Sequence, residues 1–210
     1  MQRAFSLPRV YALTDVRLSG RSHAEQVALL SQGGATFVQL REKQLAPLEF
    51  YQQAKEAVEI AKQRGVRLIV NDRVDLAEAV GADGVHLGQD DLPPEAARRL
   101  LGPDAVIGYS THNVEQALAA SKLPISYLAI GPIFQTTSKT DTSPVLGLDG
   151  LRAVRRAIGA LPLVAIGGIT HANARSVIEA GADSVAVISA LMSDPARIAE
   201  ATRALVYSLA

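Results

Sequence analysis

The chain has 210 residues, 48% hydrophobic and 20% charged, the profile of a globular protein with enough length for one large domain. Lysine plus arginine and aspartate plus glutamate each number 21, so the net charge is zero, and a nucleic-acid binder, which carries a basic excess, is not expected. There is no cysteine, which excludes disulfides, thiolate zinc sites and a cysteine nucleophile and fits a reducing, cytoplasmic setting.

Residues 1–8 hold no apolar stretch long enough for a signal peptide, and no segment approaches the roughly 18 apolar residues of a membrane span. Strand signals fall at 10–13, 37–40, 67–70, 84–87, 106–109, 127–130, 163–166 and 184–188. They alternate with helical signals at 23–32, 47–64, 74–80, 93–101, 113–121, 148–158, 172–180 and 194–209. Strands alternating with helices imply parallel pairing through crossovers. A repeat agrees with this: Gly34-Ala35-Thr36-Phe37, Gly81-Ala82-Asp83-Gly84 and Gly181-Ala182-Asp183-Ser184 each lead into a strand. In each, the glycine can end a helix in the left-handed conformation. Eight pairs point to α/β architecture as a single (β/α)₈ TIM barrel over residues 1–210, near the short end of the usual range. A doubly wound open sheet is the competing architecture, but no Gly-rich dinucleotide fingerprint follows the first strand. Apolar helix faces are compatible with a homo-oligomer.

In a barrel the chemistry sits at the carboxyl ends of the strands, so the strand ends carry the functional reading. After the second strand come Gln39-Leu40-Arg41-Glu42-Lys43. Alternation puts Gln39, Arg41 and Lys43 on one side and Leu40 and Glu42 on the other. Two cations and an amide converging on one spot call for an anion such as a diphosphate. The third strand ends in Asn71-Asp72-Arg73, and the fourth runs through His86 to Gln89-Asp90-Asp91. Asp72 and Asp91 admit two readings: a shared hard cation such as Mg²⁺, or N-caps for the helices beginning near Val74 and Pro93.

The fifth strand ends in Tyr109-Ser110-Thr111-His112. The loop after the sixth, 131–147, is long for a barrel connection; its hydroxyls and Lys139 suit either a phosphate-closing lid or a solvated loop. Gly167-Gly168, after the seventh strand, suits a phosphate site or a plain turn. Ile188-Ser189 follow the eighth. Among the histidines, His86 reads as a hydrogen-bonded interior residue and His112 as facing the mouth, and none has an evident carboxylate partner.

Taken together these segments resemble the thiamine-phosphate synthase (thiamine-phosphate pyrophosphorylase) family, from Tyr11-Ala12-Leu13-Thr14-Asp15 to Val187-Ile188-Ser189-Ala190. The resemblance implies a compact barrel enzyme, a transferase, that condenses 4-amino-5-hydroxymethyl-2-methylpyrimidine diphosphate with a thiazole phosphate by a dissociative substitution. It implies pyrimidine-diphosphate contacts from Gln39, Arg41, Lys43, Asn71, Ser110 and Lys139, with Lys139, Arg41, Lys43 and Ser110 as the catalytic set. It implies Mg²⁺ at Asp72 and Asp91, and thiazole-phosphate contacts from Thr136, Thr137, Ser138, Gly168, Ile188 and Ser189. Its partners would be these two small molecules, without nucleic acid or membrane. The competing functions are a thiazole tautomerase homologue, another phosphate-binding barrel such as a sugar-phosphate epimerase, and a non-catalytic phosphate-ligand binder.

Overall fold

The structure is a computed structural model that describes residues 6–136 and 144–210. Eight strands, β1 (Val10–Leu13), β2 (Phe37–Leu40), β3 (Arg67–Asn71), β4 (Gly84–Leu87), β5 (Val106–Thr111), β6 (Tyr127–Ile130), β7 (Leu163–Ile166) and β8 (Ser184–Val187), pair in sequence order. All pairs are parallel, and β8 returns to β1 with Tyr11 opposite Ala186, which closes the barrel. The expected (β/α)₈ fold is borne out and the open sheet is not.

Around the barrel lie α1 (Val16–Ser19), α2 (His23–Gln32), α3 (Pro47–Gln63), α4 (Val74–Val80), α5 (Pro94–Leu101), α6 (Val114–Ala120), α7 (Gly147–Ile158), α8 (Ala174–Glu179), α9 (Ser189–Met192) and α10 (Ile198–Ser208). The short helices α1 and α9 break the simple alternation expected, because each is a single turn sitting directly on a strand end. The α1 turn is built on Asp15, whose carboxylate accepts from the Leu18 N–H at 3.0 Å. The eighth main helix begins at Ile198 and not near residue 194. No helix among the described residues is long and apolar enough to cross a membrane.

Local chemistry explains the boundaries. The α2 start is a capping box in which Ser22 and Glu25 satisfy each other's backbone N–H groups. The repeated glycines behave as expected: Gly34, Gly81 and Gly181 have φ of 93°, 65° and 112°. Ala35, Ala82 and Ala182 then donate back to Leu30, Ala77 and Val177 at 3.1, 3.0 and 3.3 Å, the closing bond of a Schellman turn. The aspartates of two copies have a further task. Asp83 accepts the Leu68 N–H and Asp183 the Leu163 N–H, each at 2.8 Å, so each ties its corner to the start of the preceding strand. Arg155 reinforces the second corner, reaching the carbonyls of Gly181, Gly159 and Leu161 and the Asp183 carboxylate.

Side chains alternate across the barrel wall. Leu40, Val70, Val85 and Ile130 point outward to the helices and are fully buried. The interior is filled by aromatic rings: Tyr11 and Phe37 lie 4.4 Å apart between centroids, with Tyr127 edge-on to both at 5.8 and 6.0 Å. Above these rings, at the carboxyl ends of the strands, the interior opens into the mouth.

Candidate active site

The mouth holds a cleft of about 1040 Å³. Its walls include Gln39, Arg41, Lys43, Asn71, Asp72, Asp91 and Ser110, so the strand ends singled out in the sequence do meet around one space. A smaller lobe of about 50 Å³ opens beside it, lined by Thr136, Gly168, Ile188 and Ser189 among others. Ser110, His112, Ala129, Ile166 and Ala186 belong to both walls and mark the boundary between the two spaces. Thr137, Ser138 and Lys139 lie outside the described residues.

The trio of Gln39, Arg41 and Lys43 is held differently from expectation. Its cations do not await a ligand: Arg41 reaches the half-buried α1 turn, where Nη1 bonds Asp15 Oδ2 at 3.0 Å, and Lys43 Nζ bonds Asp72 Oδ2. The two charged groups are thus neutralised by the protein's own carboxylates, which avoids uncompensated charge in a partly dry site. Gln39 points inward and donates to Tyr11. Glu42 faces away, as alternation requires, and organises the loop: its Oε1 accepts from the N–H groups of Lys43, Gln44 and Leu45 at 2.6, 2.5 and 3.1 Å.

Glu42 also corrects the reading of the histidines. Its Oε2 lies 3.3 Å from Nε2 of His23, so one histidine does have a carboxylate partner, 19 residues away in sequence. His23 Nδ1 in turn lies 2.7 Å from Thr14 Oγ1, which accepts the Arg41 N–H at 3.2 Å. Burial opposes ionisation of Glu42, but the loop N–H groups and His23 outweigh it and hold its carboxyl below the ordinary value. Burial likewise holds the His23 imidazole low, outweighing Glu42. Both groups have depressed folded pKa values. Both therefore stabilise the fold above their unfolded values, 4.5 and 6.5, and that stability is lost as pH falls through the folded values. The melting temperature is expected to rise from pH 4 to pH 7, and Glu42→Gln to flatten the acidic part of that rise; calorimetry across this range checks it.

Asp72 and Asp91 are not helix caps. The residue before α4 is Arg73 and that before α5 is Pro93, and neither helix has a side-chain cap. Asp72 instead sits in a tight turn at the end of β3, where Arg73 N–H donates to the Asn71 carbonyl at 2.7 Å. Its φ is 63°, the one positive value among the described non-glycine residues; such a γ-turn is strained, and aspartate tolerates it better than most residues. Asp91 closes a turn by accepting the Gly88 N–H at 2.6 Å. The two carboxyl groups act on each other: burial raises the Asp72 carboxyl, Lys43 lowers it, and Asp91 raises it again. Two neighbouring carboxylates offer oxygen donors suited to a hard dication, with Lys43 balancing part of their charge. No group of three or more His, Asp or Glu side chains with metal-binding geometry occurs among the described residues.

Gly168 has a packing role of its own. With φ at 65° and an added Cβ placed 2.5 Å from the Gln135 carbonyl oxygen, the position excludes any side chain. Phe134 N–H donates to the Gly167 carbonyl at 3.0 Å, so the loop after β6 lies directly on the double glycine. The α8 helix starts later than expected, at Ala174, and lasts six residues. Its dipole is therefore a minor factor at Gly168, and the ligand-facing groups there are loop and strand-end atoms.

The comparisons with known proteins bear on this mouth directly. A family model described as thiamine monophosphate synthase matches residues 10–191. The chain belongs to the thiamine monophosphate synthase family. Curated relatives include the thiamine-phosphate synthases of Chloroflexus aurantiacus, 49% identical over 94% of this chain and 92% of the relative, and of Albidiferax ferrireducens, 50% identical over 94% and 91%. The solved thiamine phosphate pyrophosphorylase from Pyrococcus furiosus superposes with a TM-score of 0.87 at 38% identity, covering 96% of this chain and 95% of the other. The resemblance read from the strand ends is borne out, and the three competing functions are not favoured.

Sequence reasoning missed Asp15 and Tyr11 as parts of the cleft wall and Tyr127 as the buried ring beneath it. Asp15 is separated from its partner Arg41 by 26 positions. The tyrosines were legible only as inward-phase residues of β1 and β6, in a pattern that equally describes plain core.

Proposed function

We propose that this chain joins 4-amino-5-hydroxymethyl-2-methylpyrimidine diphosphate to a thiazole phosphate, giving thiamine monophosphate and diphosphate. One observation carries the reading: in a member of this family, a cationic and acidic cleft and a small glycine-walled lobe adjoin along a shared wall at Ser110. In the reaction the thiazole ring nitrogen forms a bond to the pyrimidine methylene carbon. The bond from that carbon to the diphosphate oxygen breaks, and its electron pair leaves with the diphosphate.

The diphosphate occupies the large cleft against Arg41, Lys43, Asn71, Gln39 and Ser110, with Lys139 contributed from the loop after β6. The thiazole phosphate occupies the small lobe against Gly168, Ile188, Ser189 and Thr136, and the family resemblance adds Thr137 and Ser138 as contacts. Asp72 and Asp91 would hold Mg²⁺, which when bound supplies positive charge to the departing diphosphate. Two protein carboxylates, with no third ligand among the described residues, support this, since the remaining positions of such an ion go to phosphate oxygens and water.

Arg41, held by Asp15, and Lys43, held by Asp72, present fixed cations where negative charge develops. No protein nucleophile is needed in a dissociative substitution, which agrees with a chain free of cysteine. The tasks left to the protein are alignment of the two substrates and electrostatic stabilisation. A cytoplasmic setting suits such an enzyme, and residues 1–210 act as one domain.

The test mixes the purified protein with both precursors and Mg²⁺ and follows thiamine phosphate by chromatography and diphosphate by a coupled assay. Stoichiometric appearance of both, abolished by chelation and restored by Mg²⁺, is the expected result. Binding of both precursors without product, or isomerisation of the thiazole phosphate alone, overturns the proposal.

A further inference from the structure

Five hydrogen-bonded side chains from five different strands cross the barrel interior beneath the mouth. Gln39 Nε2 on β2 donates to Tyr11 Oη on β1 at 2.7 Å. Tyr11 Oη lies 2.8 Å from Tyr127 Oη on β6, which lies 2.9 Å from His86 Nδ1 on β4. His86 Nε2 lies 2.8 Å from Ser110 Oγ on β5. Gln39 and Ser110 at the two ends line the cleft, as do Tyr11 and His86, while Tyr127 at the centre is fully buried.

The donor at one end sets the direction of every bond. A phenol carries one proton, and burial keeps it there by raising both tyrosines well above their ordinary value. With the Gln39 amide donating to Tyr11, Tyr11 donates to Tyr127, and Tyr127 donates to His86 Nδ1. An accepting Nδ1 leaves the proton of the neutral imidazole on Nε2. That N–H donates to Ser110 Oγ, and the serine keeps its own proton for the cleft. The same direction denies His86 the part of general base toward Ser110, which a serine–histidine contact would otherwise suggest.

The barrel makes room for this chain at a specific place. A Cβ on Gly108 would fall 2.1 Å from Tyr127 Cζ and 2.5 Å from His86 Nδ1. Gly108 lies within β5, where no turn calls for glycine. Its lack of a side chain is what lets the Tyr127–His86 bond form.

We propose that Tyr127 and Tyr11 are positioning residues for the reaction: acting through His86, they hold Ser110 as a hydrogen-bond donor aimed at the substrate diphosphate while anchoring Gln39 at the opposite wall. This rests on the function proposed above, and the experiment separates the two. Nitrogen-15 NMR of the histidine rings, recorded without substrate, reads the His86 tautomer directly. The wild-type protein is expected to carry the proton on Nε2; a proton on Nδ1 overturns the proposal whether or not the protein makes thiamine phosphate.

Kinetics supply the second arm. Tyr127→Phe is expected to lose roughly 10- to 100-fold in kcat, toward the range seen for losing one charge-stabilising donor, with a smaller change in KM and with His86 now a mixture of tautomers. Because the effect passes through Ser110, the double variant Tyr127→Phe, Ser110→Ala should be no slower than Ser110→Ala alone. Additive losses, or Tyr127→Phe activity within about twofold of wild type, overturn the proposal. If Tyr127→Phe folds poorly, the nitrogen-15 spectrum of the wild-type protein decides the proposal by itself.

Discussion

Asp72→Asn is expected to lower kcat by roughly 100-fold or more at any practical Mg²⁺ concentration, on the scale of losing a principal charge-stabilising group, while leaving the fold intact. Asparagine is, with aspartate, one of the few residues at ease at positive φ, so the turn with φ of 63° survives the exchange. The variant keeps the shape of the side chain but removes one of two interacting carboxylates in a partly buried site.

The sign of the stability change is the discriminating part. Asp72 has a raised carboxyl pKa, chiefly through burial and against the pull of Lys43. A group raised in this way is at ease when neutral, below its unfolded value, and its contribution is lost as pH rises through the folded value. At neutral pH without divalent cation, the neutral amide should therefore melt at or above the wild-type temperature. Steady-state kinetics over a Mg²⁺ titration, paired with melting curves in chelator, checks both halves. A drop in melting temperature together with modest activity loss would show Asp72 to be structural.

Gly108→Ala is expected to cost about 3–5 kcal/mol of stability, adding overpacking of roughly 1–3 kcal/mol to a broken buried hydrogen bond of similar size. The collision is with the Tyr127 ring, and that ring cannot swing away. It is fully buried, with Tyr11 and Phe37 edge-on at 5.8 and 6.0 Å. For a protein of this length, such a loss lowers the melting temperature by roughly 6–20 °C. Thermal unfolding without ligands checks this; a loss under about 1 kcal/mol would mean that the interior is looser than its packing implies.

The fold was legible because its signals are local and repeated. The glycine of each Gly-Ala-X corner stops a helix by adopting the left-handed conformation, and the apolar run that follows starts a strand, wherever in the chain the pattern stands. The polar residues at strand ends were legible for a related reason, since alternation alone fixes that Gln39, Arg41 and Lys43 share a side and that Glu42 does not. The partners of those residues were not legible. Arg41 meets Asp15, Glu42 meets His23 and Tyr11 meets Tyr127 because the barrel closes, and no spacing rule links positions 116 residues apart. Capping was a sound expectation for Asp72 by spacing, and it failed because the strained turn at Asp72 sends its side chain to Lys43 and leaves Arg73 as the residue before the helix.

The corner aspartates have a consequence for redesign. Asp83, Asp183 and Arg155 close the barrel at the end opposite the mouth, and their side chains bond backbone atoms or one another. Gln44, Gln89 and Gln116 line the cleft outside the groups assigned to the diphosphate and the metal, and changing them leaves every one of those contacts untouched. Variation in what the enzyme accepts can thus be explored at one pole of the molecule while the other pole keeps the scaffold shut, which makes this short barrel a workable chassis for accepting altered heterocycles.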